Sequence, residues 1–226
     1  MRLGVLFSGG KDSTLALHFA ANKEEVACLI TLVSKNPESY MFHTPNIEMT
    51  SLQAEALELP LVSVVTEGQK EAELADLERA ITQAKAEFSL DGVVTGAVES
   101  VYQASRVQRI CHSLDLWSFN PLWKQDQKKL LETLVAENFN VIISGIFAYP
   151  LDEKWLGKQL DNQMIMQLVE LQNKYGISPS GEGGEIETTV LDAPLFRKRI
   201  EILDSAVSAR GNSGVYFIKK AQLVPK

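Results

Sequence analysis

The chain is predicted to be an α/β protein, a parallel doubly wound sheet followed by a small α+β appendage. Three features point to this. Over the first two-thirds, short apolar runs alternate with stretches of helical spacing, the signature of β-α units whose sheet is covered on both faces. The segment Ser8-Gly9-Gly10-Lys11-Asp12-Ser13 joins the first apolar run to the first helical stretch. There a glycine pair gathers backbone N–H groups at the positive end of a helix dipole. After about Tyr149 the pattern changes to one helix and then alternating segments typical of antiparallel strands.

Strands are expected at Leu3–Phe7, Val26–Leu32, Leu61–Thr66, Gly92–Gly96 and Val141–Phe147, with a shorter one at Trp117–Phe119. Each is a near-continuous run of apolar and β-branched residues. Amphipathic spacing predicts helices at Ser13–Asn22, Ile47–Leu59, Lys70–Phe88, Val101–Leu114 and Gln125–Asn138. In the tail, a helix over Asp161–Tyr175 precedes the acidic turn Gly181-Glu182-Gly183-Gly184-Glu185. Strands follow at Glu187–Leu191, Arg199–Ala209 and Val215–Leu223, with Gly211-Asn212-Ser213-Gly214 as a hairpin turn. Ligands of parallel sheets bind at the carboxyl ends of the strands. The Gly-Gly loop, Gly96-Ala97 and Ala148-Tyr149 are therefore expected on one rim.

With 226 residues, 45% of them apolar, the chain fits one large domain or one domain with an appendage, divided at 148/149. The formal charge of −7, with no basic run longer than three residues, argues against nucleic acid as a partner. Cys28 and Cys111 share no CxxC spacing and read as buried free thiols of a reducing compartment. No leader precedes Leu3, and no apolar run approaches the ~20 residues of a membrane span, so a cytoplasmic protein without membrane contact is expected. Self-association as a homo-oligomer is left open.

The loop carries the chemistry. Two hydroxyls and Lys11 supply donors and charge for a phosphate chain, whereas Asp12 would repel bare phosphate and so implies a Mg²⁺ between them. GxxxxGK[ST] is absent, so this is not a Walker loop. In a second segment, Gly96-Ala97-Val98-Glu99-Ser100-Val101-Tyr102-Gln103 running on to Arg106, helical spacing puts Tyr102 and Arg106 on one face near a strand end. There Gly96 would let a ligand approach the backbone. The third is Gly181–Thr188, in which Glu182, Glu185 and Glu187 form a concentrated negative site.

Ser8–Ser13 resembles the SGGxDS loop of the N-type ATP pyrophosphatases, which share an adenine nucleotide alpha hydrolase-like sheet. The resemblance narrows with Pro121-Leu122-Trp123, Gly181–Thr188, Glu38-Ser39-Tyr40-Met41-Phe42-His43, Leu151-Asp152-Glu153-Lys154-Trp155-Leu156-Gly157 and Leu191-Asp192-Ala193-Pro194-Leu195-Phe196. Together with Gly96–Val107 these look like the diphthine–ammonia ligase family. Ile186 stands where members often carry Phe, and Gln103-Ala104-Ser105 departs from a more basic version.

The resemblance implies ATP-dependent amidation of diphthine on translation elongation factor 2, through an acyl-adenylate that ammonia attacks. AMP and pyrophosphate would be released. In that reading Ser8, Gly9, Gly10, Lys11, Asp12 and Ser13 hold the β and γ phosphates with Asp12 near Mg²⁺. Thr31 and Leu32 face adenine, and Gly96, Tyr102 and Arg106 line the α-phosphate or ribose side. Residues 1–148 form the nucleotide-binding domain and 149–226 the substrate and ammonia domain. Glu182, Glu185 and Glu187 are candidates to bind ammonium and take its proton. Tyr40, Trp123, Tyr149 and Trp155 are candidates to face the trimethylammonium group of diphthine. Free ammonium is the expected nitrogen source, since no glutaminase nucleophile follows Met1. His43 is the one histidine set in a family-like segment; His18 and His112 read as ordinary.

Two rivals stand beside this reading. One is an adenylating enzyme of the same superfamily acting on another small acid or a nucleoside. The other is a non-catalytic ATP- or AMP-binding module, against which Lys11 and Asp12 argue.

Overall fold

The computed structural model describes residues 1–36, 45–68 and 72–226. The expected elements form, with ends shifted by a residue or two. They are β1 Arg2–Leu6, α1 Lys11–Ala21, β2 Glu25–Ser34, α2 Met49–Leu57, β3 Leu61–Thr66, α3 Ala72–Phe88, β4 Gly92–Val94, α4 Val101–Ser113 and β5 Trp117–Phe119. After these come α5 Gln127–Ala136, β6 Asn140–Ile146, α6 Asn162–Tyr175, β7 Ile186–Asp192, β8 Lys198–Arg210 and β9 Ser213–Pro225. Side-chain caps explain several starts: Ser100, Asp126 and Asp161 accept from the N–H three residues on and open α4, α5 and α6. Gly176, left-handed at φ 73°, ends α6.

Five parallel strands in the order β3-β2-β1-β4-β5 form the first sheet. The chain steps outward from β1 to β3 and then returns to add β4 on the other side of β1. That reversal makes a topological switch point between β1 and β4, where loops diverge from the carboxyl ends and leave a crevice. The glycine loop follows β1, and Thr95–Ser100 follows β4. Helix α3 covers one face over a core that includes Cys28, Ile30, Leu77, Ile81 and Val93. A larger core joins the other face to the C-terminal half through Leu15, Leu29, Leu131, Ile143 and Phe196.

One strand departs from expectation. The run at Val141–Phe147 forms β6 but does not extend the parallel sheet; it lies within an antiparallel sheet of order β7-β6-β9-β8. Flanked by two strands and buried along almost its whole length, β6 has the continuous apolar pattern of a parallel core strand. Periodicity alone does not separate the two cases. The change of sheet falls between Phe119 and Asn140, ahead of the expected division at 148. Ala148 and Tyr149 accordingly follow a strand of the second sheet rather than the first.

Strands β8 and β9 are joined more tightly than expected. Arg210 pairs with Ser213, leaving a two-residue turn whose first residue, Gly211, is left-handed at φ 63°. This is the arrangement of a type II′ hairpin. Farther along β9, the Asn46 side chain donates to the Tyr216 carbonyl (2.9 Å) and accepts from the Ile218 N–H (2.9 Å). It thereby satisfies the β9 edge as a neighbouring strand would. Among the described residues no helix is long and apolar enough to cross a membrane.

Candidate active site

The glycine loop is held from three directions. Behind it, the Phe7 N–H donates to the Ile30 carbonyl (2.8 Å) and the Thr31 hydroxyl donates to the Phe7 carbonyl (2.6 Å). At its bend Gly9 is left-handed at φ 76°, and a Cβ there would lie 2.1 Å from Gln53 Oε1. Its carbonyl accepts from Gln53 Nε2 (2.9 Å) and from the Val190 N–H (3.0 Å). The same Gln53 Nε2 also donates to the Val190 carbonyl (2.8 Å). On the helix side, the Ser13 and Thr14 hydroxyls donate to the Gly10 carbonyl, and the Lys11 N–H donates to Thr188 Oγ1 (3.1 Å). Strand β7 of the second sheet therefore clamps a loop of the first.

Facing the loop across the switch point, Gly96 is a glycine for packing reasons. A Cβ there would come within 2.8 Å of the Asp12 carbonyl carbon and the Ser13 nitrogen, backbone atoms that have no room to yield. A cavity of about 460 Å³ opens between the two loops. Of the residues expected from sequence, Ser8, Gly10, Lys11, Asp12, Ser13, Leu32 and Gly96 line it from the first half of the chain, and Glu182 and Glu187 from the tail. Its floor is apolar, with Ile30, Leu32, Leu77 and Val107.

The electrostatics concentrate at one end. Lys11 Nζ lies 2.6 Å from Asp12 Oδ2, and the lysine side chain is only 4% exposed. Burial pushes the Glu187 carboxyl up to about 7, with Asp12 and Glu182 adding to the effect and Lys11 opposing it. Glu182 is raised too, by burial first and by Asp12 second, although Lys11 and the Glu99 N–H it accepts from (3.1 Å) work the other way. Glu187 is thus poised to exchange a proton near neutrality beside a lysine–aspartate pair that suits phosphate and Mg²⁺.

Other expected residues lie outside the lining. Gly9 turns toward Gln53. Thr31, between Ile30 and Leu32 on β2, faces away by strand alternation and ties down Phe7 instead. The Arg106 guanidinium stacks 3.3 Å above the Tyr102 ring, behind Gln103 and Val107, which do line the cavity. Its Nε is buried and, among the described residues, has no hydrogen-bond partner. Glu185 is committed to its own turn: Oε1 accepts from the Ser178 N–H (2.8 Å) and Oε2 from the Gly183 N–H (2.9 Å).

Trp123, Tyr149 and Trp155 do not line the cavity. Lys124 lies over Trp123, Tyr149 packs edge-on against Tyr175, and Trp155 lies on the core. Tyr40 and His43 fall outside the described residues. Cys28 and Cys111 are free and buried, and burial pushes their thiols up to about 12 and about 11, so both stay protonated and unreactive. Gln53, Thr188 and Gln103 had no assigned role in the sequence. Gln53 is wholly buried in α2, and no local pattern in the sequence marked it.

Comparison with known proteins bears on which chemistry this cavity serves. The model described as the diphthamide synthase N-terminal domain matches residues 1–118, and that of the diphthamide synthase C-terminal domain matches residues 126–224. The chain belongs to the diphthamide synthase family. It is 37% identical to the diphthine–ammonia ligase of Bos taurus over 226 residues, covering 91% of this chain and 84% of that protein. To the Homo sapiens enzyme of the same name it is 36% identical with the same coverage. It is also 36% identical to the Schizosaccharomyces pombe diphthine–ammonia ligase, of which it spans 39%. The family is one of ligases. A solved structure described as a predicted tRNA methyltransferase subunit of Methanocaldococcus jannaschii superposes with a TM-score of 0.45 at 19% identity, over 86% of this chain and 98% of that one. That overlap is too loose to carry an argument.

Proposed function

We propose that the chain catalyses ATP-dependent amidation of diphthine on translation elongation factor 2, in the cytoplasm, with ammonium as nitrogen donor. The observation that carries this reading is that β7 holds the glycine loop through Thr188 and Val190 while presenting Glu187 to the same cavity. A group that binds the leaving pyrophosphate and a group that takes a proton from the incoming amine are thus on one rigid unit.

In the first half-reaction a carboxylate oxygen of diphthine attacks the α-phosphorus of ATP, the α–β bridge breaks, and pyrophosphate leaves. Ser8, Ser13, the Lys11 side chain and the Asp12 and Ser13 N–H groups at the α1 N-terminus, beyond the Lys11 N–H that is given to Thr188, neutralise the charge that grows on the departing oxygens. Asp12 is the residue that would hold Mg²⁺. Its second carboxylate oxygen is left over from the Lys11 pair, and one carboxylate plus phosphate oxygens is a usual Mg²⁺ set. The ion would supply charge neutralisation on the phosphates.

In the second half-reaction Glu187 takes a proton from ammonium, the ammonia nitrogen attacks the acyl carbon, and AMP leaves with the bonding pair, its phosphate carrying off the second proton that the nitrogen sheds as the amide forms. Glu182 adds negative charge that concentrates the cation, and Glu185 keeps the turn in shape. The apolar floor at Ile30 and Leu32 suits adenine. Arg106, with its free Nε, is assigned to the ribose or α-phosphate side from behind Val107.

Sustained pyrophosphate release on adding diphthine-bearing elongation factor 2 and ammonium together is the expected result, with at most one pyrophosphate per enzyme when elongation factor 2 is added without ammonium and none with ammonium alone. Release with tRNA alone would favour an adenylating enzyme of another substrate class. ATP binding without turnover under every condition would favour a nucleotide-binding module.

A further inference from the structure

Gln127 lies in the first turn of α5, in no motif and outside the cavity lining, yet three donors converge on its side-chain oxygen. Ser178 Oγ donates to Gln127 Oε1 at 2.5 Å, Ser180 Oγ at 2.9 Å and the Ser180 N–H at 3.3 Å. A backbone N–H donates only, so the amide must present its oxygen to this side. Ser178 passes the constraint on. Its hydroxyl accepts from the Glu182 N–H (2.9 Å), and its own N–H donates to Glu185 Oε1 (2.8 Å). Ser180 is fully buried beneath the turn. At the far end, the Glu182 carboxylate accepts from the Glu99 N–H on the loop after β4.

The geometry points to Gln127 as the positioning residue of the acidic turn, acting through Ser178 and Ser180 to hold Glu182 over the cavity. The turn needs such an anchor because its backbone is permissive: Gly181 and Gly184 both sit at positive φ, 79° and 81°. Without the acceptor on α5, two serine hydroxyls and one N–H lose their common partner, and the Glu182 N–H loses an oriented one. This inference rests on the amidation reading for its kinetic consequence but not for its structural one. The role requires only an acceptor, so Glu should serve where Leu does not. At the first turn of a helix Glu is also favoured by the dipole.

The test compares the whole chain with its Gln127→Leu, Gln127→Glu and Ser180→Ala variants. Amide hydrogen exchange is read at residues 178–186 and at 7–14, and initial rates are taken against ammonium and against ATP. Gln127→Leu should speed exchange at 178–186 by about tenfold with residues 7–14 unchanged. It should raise KM for ammonium or lower kcat by about tenfold to a hundredfold while KM for ATP moves less than twofold. Gln127→Glu should restore both protection and rate, and Ser180→Ala should reproduce part of the loss. Wild-type protection in Gln127→Leu, equal losses in the Leu and Glu variants, or a matching rise in KM for ATP would overturn the assignment. If the wild type fails to amidate diphthine, the amidation reading falls, while the exchange data still decide the role of Gln127.

Discussion

Replacing Glu187 by Gln removes a proton acceptor while keeping shape and hydrogen-bonding capacity, and the structure fixes the sign of two consequences. The Glu187 carboxyl is raised by burial from an ordinary 4.5 to about 7, so the native state binds its proton more tightly than the unfolded chain does. The stability this gives is fully present below pH 4.5 and is lost as pH rises through 7. At 1.36 kcal/mol per unit, ionising Glu187 costs the fold at most about 3 kcal/mol, and about half that once water in the cavity is allowed for. Gln imitates the protonated acid. Glu187→Gln should therefore melt with the wild type at pH 4 and about 3–6 °C above it at pH 8.5, since a kcal/mol is worth about 2–4 °C in a chain of this size. Turnover should move the opposite way. Pyrophosphate release coupled to amide formation should fall about 10²–10⁴-fold, with ATP affinity within about twofold because the loop contacts of residues 8–13 are untouched. The wild-type rate should drop as pH falls below about 7, and this limb should vanish in the variant. A Glu187→Gln enzyme with turnover near wild type, or a melting gain equal at both pH values, would refute Glu187 as a buried proton acceptor.

Other substitutions test the frame around it. Gly96→Ala forces a methyl to 2.8 Å from α1 backbone atoms; it should cost about 1–3 kcal/mol in chemical denaturation and weaken ATP binding. Gln53→Leu removes the donor shared by the Gly9 and Val190 carbonyls, leaves the Gly9 carbonyl to the Val190 N–H, and should cost about 1–2 kcal/mol with a raised KM for ATP. Arg106→Lys loses the planar stack on Tyr102 and the free Nε. KM for ATP should rise about tenfold with kcat nearly unchanged, and an unchanged KM would reduce Arg106 to a brace for Tyr102.

What was legible in the chain follows physical lines. The parallel sheet was readable because strands buried on both faces must be apolar throughout and the helices between them must be amphipathic, and β3 and β5 were located to the residue. The loop at 8–13 was readable because its chemistry is local: glycine for the bend, hydroxyls and lysine for the anion. Strand β6 was misplaced because a central antiparallel strand is as apolar as a parallel one, and only its pairing to β7 and β9 separates the two. Within the site, Glu187 and Glu185 look alike in sequence two residues apart. Glu187, with Ile186 and Thr188 at the start of β7, lines the cavity, whereas Glu185, just ahead of the strand, folds back on Ser178 and Gly183. Gln53, Thr188 and Gln127 stayed hidden because each acts on residues more than forty positions away, across one sheet or between two.

The central claim is that a carboxylate oxygen becomes bonded to the α-phosphorus before ammonia arrives. Diphthine-bearing elongation factor 2 labelled with ¹⁸O in the diphthine carboxylate tests this directly by mass spectrometry of the released nucleotide. One ¹⁸O in the phosphate of AMP, with none in pyrophosphate, is the predicted result. Label in inorganic phosphate with release of ADP, or unlabelled AMP alongside amide, would contradict it.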